Sequence, residues 1–310
     1  MLNITMQAIS VHDYGGPEVL VLEQVPRPQP QPGQVLIHVF AVGVNPADWK
    51  FRSGFMKQYM PLSFPWIPGL EGAGTVEAIG EGVTNFQLGQ AVYGAFTSSY
   101  AEYAVAAEGD VQPIPDDLSF EQAASVPVGA LTAWGAVIDA AQVQSGQRLL
   151  VHGAAGGVGS YALQLARWKG AHVIGTASAR NVEFVRSLGA EGVIDYHAAP
   201  FETVVRDLDV VIDTVGGDLP ERSLKVLRPG GKLVTIAARL PPDMGKDQGI
   251  KAMNAGRAAP GTLKQISELI ETKDLTPVVG AVFPLAEARQ AHEQSETGHG
   301  RGRIILKIAE

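Results

Sequence analysis

The chain has 310 residues, of which 45% are hydrophobic and 18% charged, an ordinary globular composition that allows two hydrophobic cores. Its formal net charge of −8, without clustered lysine and arginine, argues against a nucleic acid or an anionic membrane surface as its main partner. The absence of cysteine excludes disulfides and thiolate metal sites. No secretory signal and no apolar run long enough to span a bilayer are visible, so we expect a cytosolic protein.

Residues 6–110 are predicted to form a β-rich domain, because many short strand-like runs are broken by glycine and proline and no helical period is visible. The runs at 35–42 and 74–79 are examples. A proline-bearing linker at 112–119 precedes a helical pattern for which Ser119 is the predicted N-cap. We therefore expect domains at 1–122 and 123–272, with residues 273–310 returning to the first domain.

Two segments of this region carry polar candidates, residues 42–50 (VGVNPADWK) and 65–76 (PWIPGLEGAGTV). Asn45 precedes a proline at the end of a predicted strand, which local turn formation alone would explain. Asp48 has the chemistry of an acid or base, but an Asp at this position is as readily a helix cap. We assign Asp48 no catalytic role.

Residues 149–159 (LLVHGAAGGVG) predict a strand, a tight glycine turn and the start of a helix. The dinucleotide fingerprint G-x-G-x-x-G is matched at Ala154, Gly156 and Gly159, with alanine in the first position. The N–H groups of a helix's first turn lack partners and favour a diphosphate. A purely structural turn would explain a lone glycine pattern, but the strand and helix around this one predict dinucleotide binding.

The end of the next predicted strand, residues 171–177, indicates which dinucleotide binds. Enzymes that use NAD usually present Asp or Glu here, whereas this chain reads Ser178-Ala179-Arg180-Asn181. A hydroxyl and a guanidinium can bind a 2′-phosphate, which predicts NADPH. Alternatively, Ser178 caps the following helix and Arg180 is merely solvated.

Three further apolar strands follow, at 192–196, 209–215 and 231–237, with helices expected between them. Their near-continuous valine and isoleucine indicate a parallel sheet covered on both faces. The predicted fold class is therefore α/β, with a Rossmann-type doubly wound parallel-sheet domain beside the β-rich domain. A loop is expected at 239–249, a sixth strand at 249–254 and a helix at 262–270.

A metal site is not expected. The histidines show neither i, i+4 pairing nor a carboxylate-flanked motif. They lie at positions 12, 38, 152, 172, 197, 292 and 299.

Together, the segments 42–50 and 65–76 and the glycine turn resemble the medium-chain dehydrogenase/reductase superfamily over essentially the entire chain. Its zinc alcohol dehydrogenases carry a cysteine ligand where this chain has Asn45 and a histidine ligand where it has Leu70. The zinc-free NADPH quinone oxidoreductase group, which includes zeta-crystallin-like proteins, fits instead. The resemblance implies a GroES-like catalytic domain and a chemistry without metal.

The resemblance also implies roles for individual residues. It places the Asn45 amide near the nicotinamide and the substrate carbonyl, and the Thr132 hydroxyl against the nicotinamide, although Thr132 could instead bond its own backbone. It puts Tyr196 beside the adenosine phosphate, and Arg303 or Arg301 is a candidate for a cofactor phosphate. The full set of predicted cofactor contacts is Asn45, Thr132, Ala154, Ala155, Gly156, Gly157, Val158, Gly159, Ser178, Arg180, Tyr196, Val215, Ala237 and Arg303.

The leading functional hypothesis is hydride transfer from NADPH to a quinone or an α,β-unsaturated carbonyl. Asn45 and backbone N–H groups are the expected donors to the substrate oxygen. Tyr59 is a possible proton donor, with a pocket-lining role and water as alternatives. The other hypotheses are an enoyl-thioester reductase and a cofactor-binding protein without turnover. The expected partners are a small molecule and a second copy of the chain, joined through residues 249–254.

Overall fold

The computed structural model describes residues 4–309, which form fifteen β-strands and eight α-helices. A π-helical turn, Gly135–Ala140, continues from the third helix. The strands are β1 (Thr5–Ser10), β2 (Val21–Pro26), β3 (Gln34–Val44), β4 (Gly72–Ile79), β5 (Ala91–Gly94), β6 (Tyr103–Ala107), β7 (Val111–Pro113), β8 (Arg148–His152), β9 (His172–Ala177), β10 (Gly192–Asp195), β11 (Leu208–Asp213), β12 (Leu227–Thr235), β13 (Lys251–Asn254), β14 (Val279–Pro284) and β15 (Arg303–Lys307). The helices are α1 (Pro46–Arg52), α2 (Phe120–Ala124), α3 (Pro127–Trp134), α4 (Gly159–Trp168), α5 (Val182–Ser187), α6 (Leu219–Ser223), α7 (Thr262–Glu271) and α8 (Ala288–Glu296).

The chain divides into two compact units. The first contains the described residues up to Val128, Pro260–Glu271 and the residues from Pro277 onward, and the second contains Gly129–Ala259 and Thr272–Thr276. The expected boundaries at 122/123 and 272/273 differ from this division chiefly in helix α7. We expected α7 in the second domain, but it groups with the first unit, where the buried Tyr93 Oη lies 2.7 Å from Ser267 Oγ.

The first unit is built around β3, the longest strand. One edge of β3 pairs antiparallel with β4, and the other edge pairs with β6 over its first half and β15 over its second half. The sheet order is β14-β15-β3-β4-β5-β7, and β1 and β2 form a separate two-stranded sheet. Because β15 pairs with the end of β3, residues near 303 lie beside residues near 44.

The second unit is a six-stranded parallel sheet in the order β10-β9-β8-β11-β12-β13. The middle of its central strands is buried, as residues 149–151 and 210–212 show, which agrees with helices covering both faces. The predicted α/β fold class, with a β-rich first unit and a Rossmann-type sheet in the second unit, is confirmed. Within the described residues, no helix has the length and apolar character needed to cross a membrane.

Helices connect three of the predicted strand pairs, since α4, α5 and α6 follow β8, β9 and β11. The expected helix between β10 and β11 is wrong: residues 196–207 hold only a 3-10 turn, Phe201–Thr203. This segment must pass β9 and β8 to reach β11, about 14 Å at the usual strand spacing. The segment crosses this distance as turns and a single 3-10 turn rather than as an α-helix.

Candidate active site

The glycine turn, residues 153–159, leaves the parallel sheet at the end of β8 and leads into α4. The order of the sheet reverses at β8, because β9 lies on one side of it and β11 on the other. In open parallel sheets, ligands bind beyond the carboxyl ends of the strands at this reversal point. The predicted diphosphate-binding turn therefore lies where such sheets bind nucleotides.

Three glycines shape this turn. Gly153 has a left-handed φ of +68°, which side-chain-bearing residues rarely adopt. A β-carbon on Gly159 would lie 2.1 Å from the Gly153 carbonyl oxygen, so helix and turn are in close contact. A β-carbon on Gly156 would meet only that same oxygen, at 3.3 Å. The space beside Gly156, at the N-terminus of α4, fits the diphosphate of a dinucleotide.

His152, the last residue of β8, is fully buried beneath this turn. Its Nε2 lies 3.1 Å from Ser223 Oγ, and its Nδ1 lies 3.2 Å from Thr176 Oγ1. The same Thr176 oxygen accepts the N–H of Gly153 at 3.2 Å. Burial lowers the pKa of His152 to about 4, so the imidazole is neutral at physiological pH. Sequence reasoning missed this supporting role, for which the only signal was a histidine ending an apolar strand.

Asp213 and Thr235 fix the neighbouring strand ends. Asp213 Oδ1 accepts the N–H groups of Val215 at 3.0 Å and Gly216 at 2.9 Å. The Thr235 hydroxyl donates to Asp213 Oδ2 at 2.6 Å and accepts the Ala237 N–H at 3.1 Å. Val215 and Ala237 are both exposed at the carboxyl edge of the sheet, as the proposed crevice contacts require.

The candidates for the adenosine end follow β9 and β10, which are adjacent and end in register. Ser178 is the N-cap residue of a 3-10 turn, but its side chain caps no backbone group; Asn181 Nδ2 donates to its Oγ at 3.3 Å. Arg180 is exposed and has no hydrogen-bond or ion-pair partner within residues 4–309. Tyr196 is 46% exposed and packs against His197.

Thr132 lies on α3 in the second unit and is half-buried. In the part of the chain that the structure describes, its hydroxyl makes no hydrogen bond, so the alternative of a bond to its own backbone is not realised. Its predicted contact with the nicotinamide stays a prediction.

In the first unit, three buried side chains meet at the end of β3. We call Asn45, Glu71 and Arg303 the amide cluster. Arg303 Nη2 donates to Asn45 Oδ1 at 2.7 Å and forms an ion pair with Glu71. Asn45 Nδ2 donates to Glu71 Oε1 at 2.9 Å and to the Gly43 carbonyl oxygen at 3.3 Å. The amide is thus held in one orientation, and its weakest hydrogen bond is the long one to Gly43.

Glu71 was not among the predicted site residues. Besides Asn45 and Arg303, it accepts the Val128 N–H at 2.7 Å and is fully buried. The Nε–H of Arg303 is also buried and has no acceptor among the described residues. The predicted contact of Arg303 with a cofactor phosphate stays a prediction, as does the role of Tyr59, which is 71% exposed.

Asp48 caps α1, so the interpretation of this residue as a helix cap is confirmed. Its carboxylate accepts the Asn45 N–H at 2.8 Å in a capping box. Burial is the main influence that raises its pKa to about 7, against the lowering effect of the N–H bond. Among residues 4–309, no group of three or more His, Asp or Glu side chains is arranged to hold a metal ion.

Two family models match the chain. The alcohol dehydrogenase GroES-like domain matches residues 31–116, and the zinc-binding dehydrogenase model matches residues 188–306. The chain has no cysteine, and Asn45 and Leu70 stand where the zinc-dependent relatives are expected to carry ligands.

Full-length relatives are similar as well. Quinone oxidoreductase from Sus scrofa is 37% identical over 324 residues, which cover 98% of each chain. The structure of the quinone oxidoreductase from Coxiella burnetii aligns with a TM-score of 0.90 at 35% identity, covering 99% of this chain and 100% of that one. The structure of CurK enoyl reductase aligns with a TM-score of 0.91 at 27% identity, covering 98% and 99%.

Proposed function

We propose, from the premise that this chain belongs to the quinone oxidoreductase group of the medium-chain dehydrogenase/reductase superfamily, that it reduces a quinone or an α,β-unsaturated carbonyl with NADPH. It is an NAD(P)H-dependent oxidoreductase. The observation that carries the finer proposal is the 37% identity to a quinone oxidoreductase along 98% of both chains. Metal independence is part of the proposal.

The second unit binds the cofactor in this proposal, and the bound cofactor supplies a hydride. The glycine turn holds the diphosphate with backbone N–H groups, since Gly156 leaves the necessary space. Val215 and Ala237 line the crevice at the strand ends, and Thr132 offers its unpaired hydroxyl to the nicotinamide end.

The preference for NADPH is proposed from the side chains at the ends of β9 and β10. A carboxylate at residues 178–181 would repel a 2′-phosphate, and none is present. Ser178 and Arg180 offer a hydroxyl and an unpaired guanidinium, which bind phosphate through charge-assisted hydrogen bonds. Tyr196 provides an exposed ring at the adjacent strand end.

The first unit polarises the acceptor in this proposal through the Asn45 amide. Its Nδ2 already donates to Glu71 at 2.9 Å, so the N–H that reaches Gly43 at 3.3 Å is the one available to a substrate oxygen. A donor held in place before the reaction stabilises the negative charge that develops on the oxygen. The proton comes from water or from Tyr59.

A second candidate function is reduction of an enoyl thioester. The similarity to CurK enoyl reductase, with a TM-score of 0.91, favours it as the alternative. The two reactions share hydride delivery to a conjugated carbonyl and differ in the group attached to that carbonyl. A protein that binds NADPH without turnover is the third outcome.

The test is to mix purified protein with NADPH and one acceptor at a time while following the absorbance of the reduced nicotinamide. The acceptors are an ortho-quinone, a para-quinone, an enone and an enoyl thioester. We expect oxidation with a quinone or the enone. Fastest turnover of the thioester would replace the proposal with its alternative, and binding without oxidation of any acceptor would contradict both.

Removal of metal ions should leave the activity unchanged. We expect dialysis against a strong chelator to preserve kcat, because hydrogen-bond donors rather than a Lewis acid are proposed to polarise the acceptor. The control is a zinc alcohol dehydrogenase dialysed in parallel. Loss of activity that returns with added zinc would contradict the proposed mechanism.

A cytosolic homodimer completes the proposal. Within the described residues, β13 pairs only with β12 and forms an edge of the parallel sheet. An uncovered edge strand is open to pairing with a second copy of itself. Sedimentation of the purified chain distinguishes a dimer from a monomer, and a Met253→Pro variant should dissociate it.

A further inference from the structure

Four buried side chains of the first unit form one chain of hydrogen bonds that we call the buried relay: Arg52, His292, Tyr100 and Asp48. Arg52 Nη1 lies 3.0 Å from His292 Nδ1, and His292 Nε2 lies 3.2 Å from Tyr100 Oη. The Tyr100 hydroxyl donates to Asp48 Oδ2 at 3.2 Å. All four are buried, with Arg52 at 1% exposure and the others at 0%.

Arg52 determines the direction of every bond in the relay. Its guanidinium can only donate, so His292 Nδ1 must accept. The neutral imidazole then carries its hydrogen on Nε2 and donates it to Tyr100 Oη, which leaves the Tyr100 hydrogen for Asp48. Burial and the charge of Arg52 lower the pKa of His292 to about 3, which keeps this tautomer neutral. The outer end of the relay is the ion pair between Arg52 and Glu296, at 2.6 Å.

At its inner end the relay reaches the amide cluster. Asp48 Oδ2 accepts the N–H of Asn45 at 2.8 Å, and Oδ1 accepts the N–H of Gly69 at 3.3 Å. Gly69 lies two residues before Glu71, in a turn with a φ of +104°. One carboxyl group therefore ties together the turns that carry Asn45 and Glu71.

We infer that Tyr100 and His292 are positioning residues for the reaction: they hold the Asp48 carboxylate that aligns Asn45 with Glu71. This inference rests on the proposed function of Asn45. Neither Tyr100 nor His292 contacts the substrate; both act through Asp48. His292 lies 240 residues from Arg52 in sequence, so the alignment of Asn45 depends on helix α8.

The charges around Asp48 decide how its carboxyl group titrates. Burial raises its pKa to about 7, the N–H of Asn45 lowers it, the nearby Glu71 carboxylate raises it, and the Tyr100 hydroxyl and the Gly69 N–H lower it. Arg303 faces Tyr100 from β15, while His292 and Arg52 lie beyond Tyr100. The ionised form accepts all three hydrogen bonds at Asp48, whereas protonation removes one acceptor site. We therefore expect Asn45 to be best aligned when Asp48 is ionised.

The first experiment compares Tyr100→Phe with Tyr93→Phe. Both changes remove one buried hydroxyl from the first unit, but Tyr93 bonds Ser267, away from Asp48. Loss of the Tyr100 donor disfavours the carboxylate, so the rise of kcat/KM with pH should move about one unit higher. Tyr93→Phe should keep the wild-type profile. If kcat/KM depends on pH in the same way in the wild type, Tyr100→Phe and Tyr93→Phe, the inference is wrong.

The second experiment needs no turnover and separates this inference from the proposed function. The free energy of unfolding is measured by denaturant titration from about pH 5 to about pH 9. Ionisation of Asp48 destabilises the folded protein more when the Tyr100 donor is missing. The free energy of unfolding of Tyr100→Phe should therefore fall further below that of Tyr93→Phe as pH rises. A constant difference would overturn the relay even if the wild type reduces quinones. If no acceptor is reduced but the difference widens, the proposed function fails and the relay stands.

Substitutions of His292 test the direction of the bonds. Glutamine can accept from Arg52 and donate to Tyr100, so His292→Gln should keep the pH profile of the wild type. His292→Leu can do neither, so it should shift the profile in the same direction as Tyr100→Phe but by less, because the Tyr100 hydroxyl remains and only loses the donor that orients it. If kcat/KM depends on pH in the same way in His292→Gln and His292→Leu, His292 has no positioning role.

Discussion

Asn45 holds its amide between a carboxylate and a guanidinium, and these neighbours determine what its substitution does. We expect Asn45→Ala to lower kcat by about 10- to 100-fold at saturating NADPH, because a preorganised donor to the substrate oxygen is lost. The buried pair of Glu71 and Arg303 would also lose a shared partner, so the free energy of unfolding should fall by about 1–3 kcal/mol. Steady-state kinetics and denaturant titration measure the two effects. Asn85→Ala, an exposed change in the same unit, is the control, and an unchanged kcat in Asn45→Ala would contradict the proposed donor.

Arg180 is the side chain whose charge should choose between the two nicotinamide cofactors. We expect Arg180→Asp to weaken NADPH binding by about 10- to 100-fold and to change NADH binding little, because only NADPH carries the 2′-phosphate. Calorimetric titration with each cofactor gives the two dissociation constants. Arg186→Asp is a matched control, since Arg186 is exposed on the neighbouring helix and pairs with Glu183. Equal losses for both cofactors would remove Arg180 from the phosphate site.

Two glycines of the turn at 153–159 should differ in what they contribute, one chiefly to cofactor binding and the other to both stability and binding. Gly156→Ala adds a β-carbon whose one close contact is the Gly153 carbonyl oxygen at 3.3 Å, so stability should fall much less than in Gly159→Ala while the methyl group obstructs the diphosphate. Gly159→Ala puts a β-carbon 2.1 Å from a carbonyl oxygen, so both stability and cofactor binding should fall. Thermal denaturation without cofactor and calorimetry with NADPH distinguish these outcomes. Gly109→Ala, whose β-carbon would meet no atom within 4 Å, is the control. Tight NADPH binding by Gly156→Ala would argue against the turn as the diphosphate site.

Most elements of the second unit were predictable because their signals are local. Apolar runs such as 149–151 mark buried parallel strands, and the glycine turn marks the entry into α4. The N-cap Ser119 is also confirmed, since its side chain accepts the Gln122 N–H. The polar supports of the site were not predictable in this way. His152 bonds Ser223, 71 residues later in the sequence, and no local pattern indicates such a partner.

The stability of the whole molecule depends on pH through three buried groups, because His152 and His292 favour folding at high pH and Asp48 favours it at low pH. The pKa values of His152 and His292 are lowered from 6.5 to about 4 and about 3, so their contribution to stability is present above pH 6.5 and is lost as pH falls. The pKa of Asp48 is raised from 3.8 to about 7, so its contribution is present below pH 3.8 and is lost as pH rises. Each histidine can cost up to about 1.4 kcal/mol per pH unit between its two pKa values.

Because two histidines act against one carboxyl group, we expect the free energy of unfolding to decrease as pH falls from about 6.5 to about 4. Denaturant titrations across this range measure the slope. His152→Gln keeps a polar side chain that does not titrate and should flatten the slope, whereas the exposed His172→Gln should leave it unchanged. If the wild type, His152→Gln and His172→Gln all show the same dependence of unfolding free energy on pH, buried neutral His152 does not destabilise the protein at low pH.

The sequence could not indicate which of the two units each segment joins. Composition marked the proline-bearing linker at 112–119, but α7 has the helical pattern of its neighbours and carries no signal for the unit to which it belongs. Its contacts in the first unit are long-range, such as the one between Tyr93 and Ser267, 174 residues apart. Likewise, β15 is recognisable as a strand, yet its pairing with β3 is a property of the folded chain alone.

The placement of β15 and α8 has a consequence for synthesis on the ribosome. Residues 4–128 of the first unit precede the second unit in the chain, yet the sheet and the polar interior of the first unit lack Arg303 and His292 until translation has passed residue 303. The second unit, residues 129–259 and 272–276, is translated in full before then. We therefore expect the second unit to be able to fold first during translation, because β3 lacks its β15 partner and Glu71 lacks its Arg303 partner until residues 303–307 have been added.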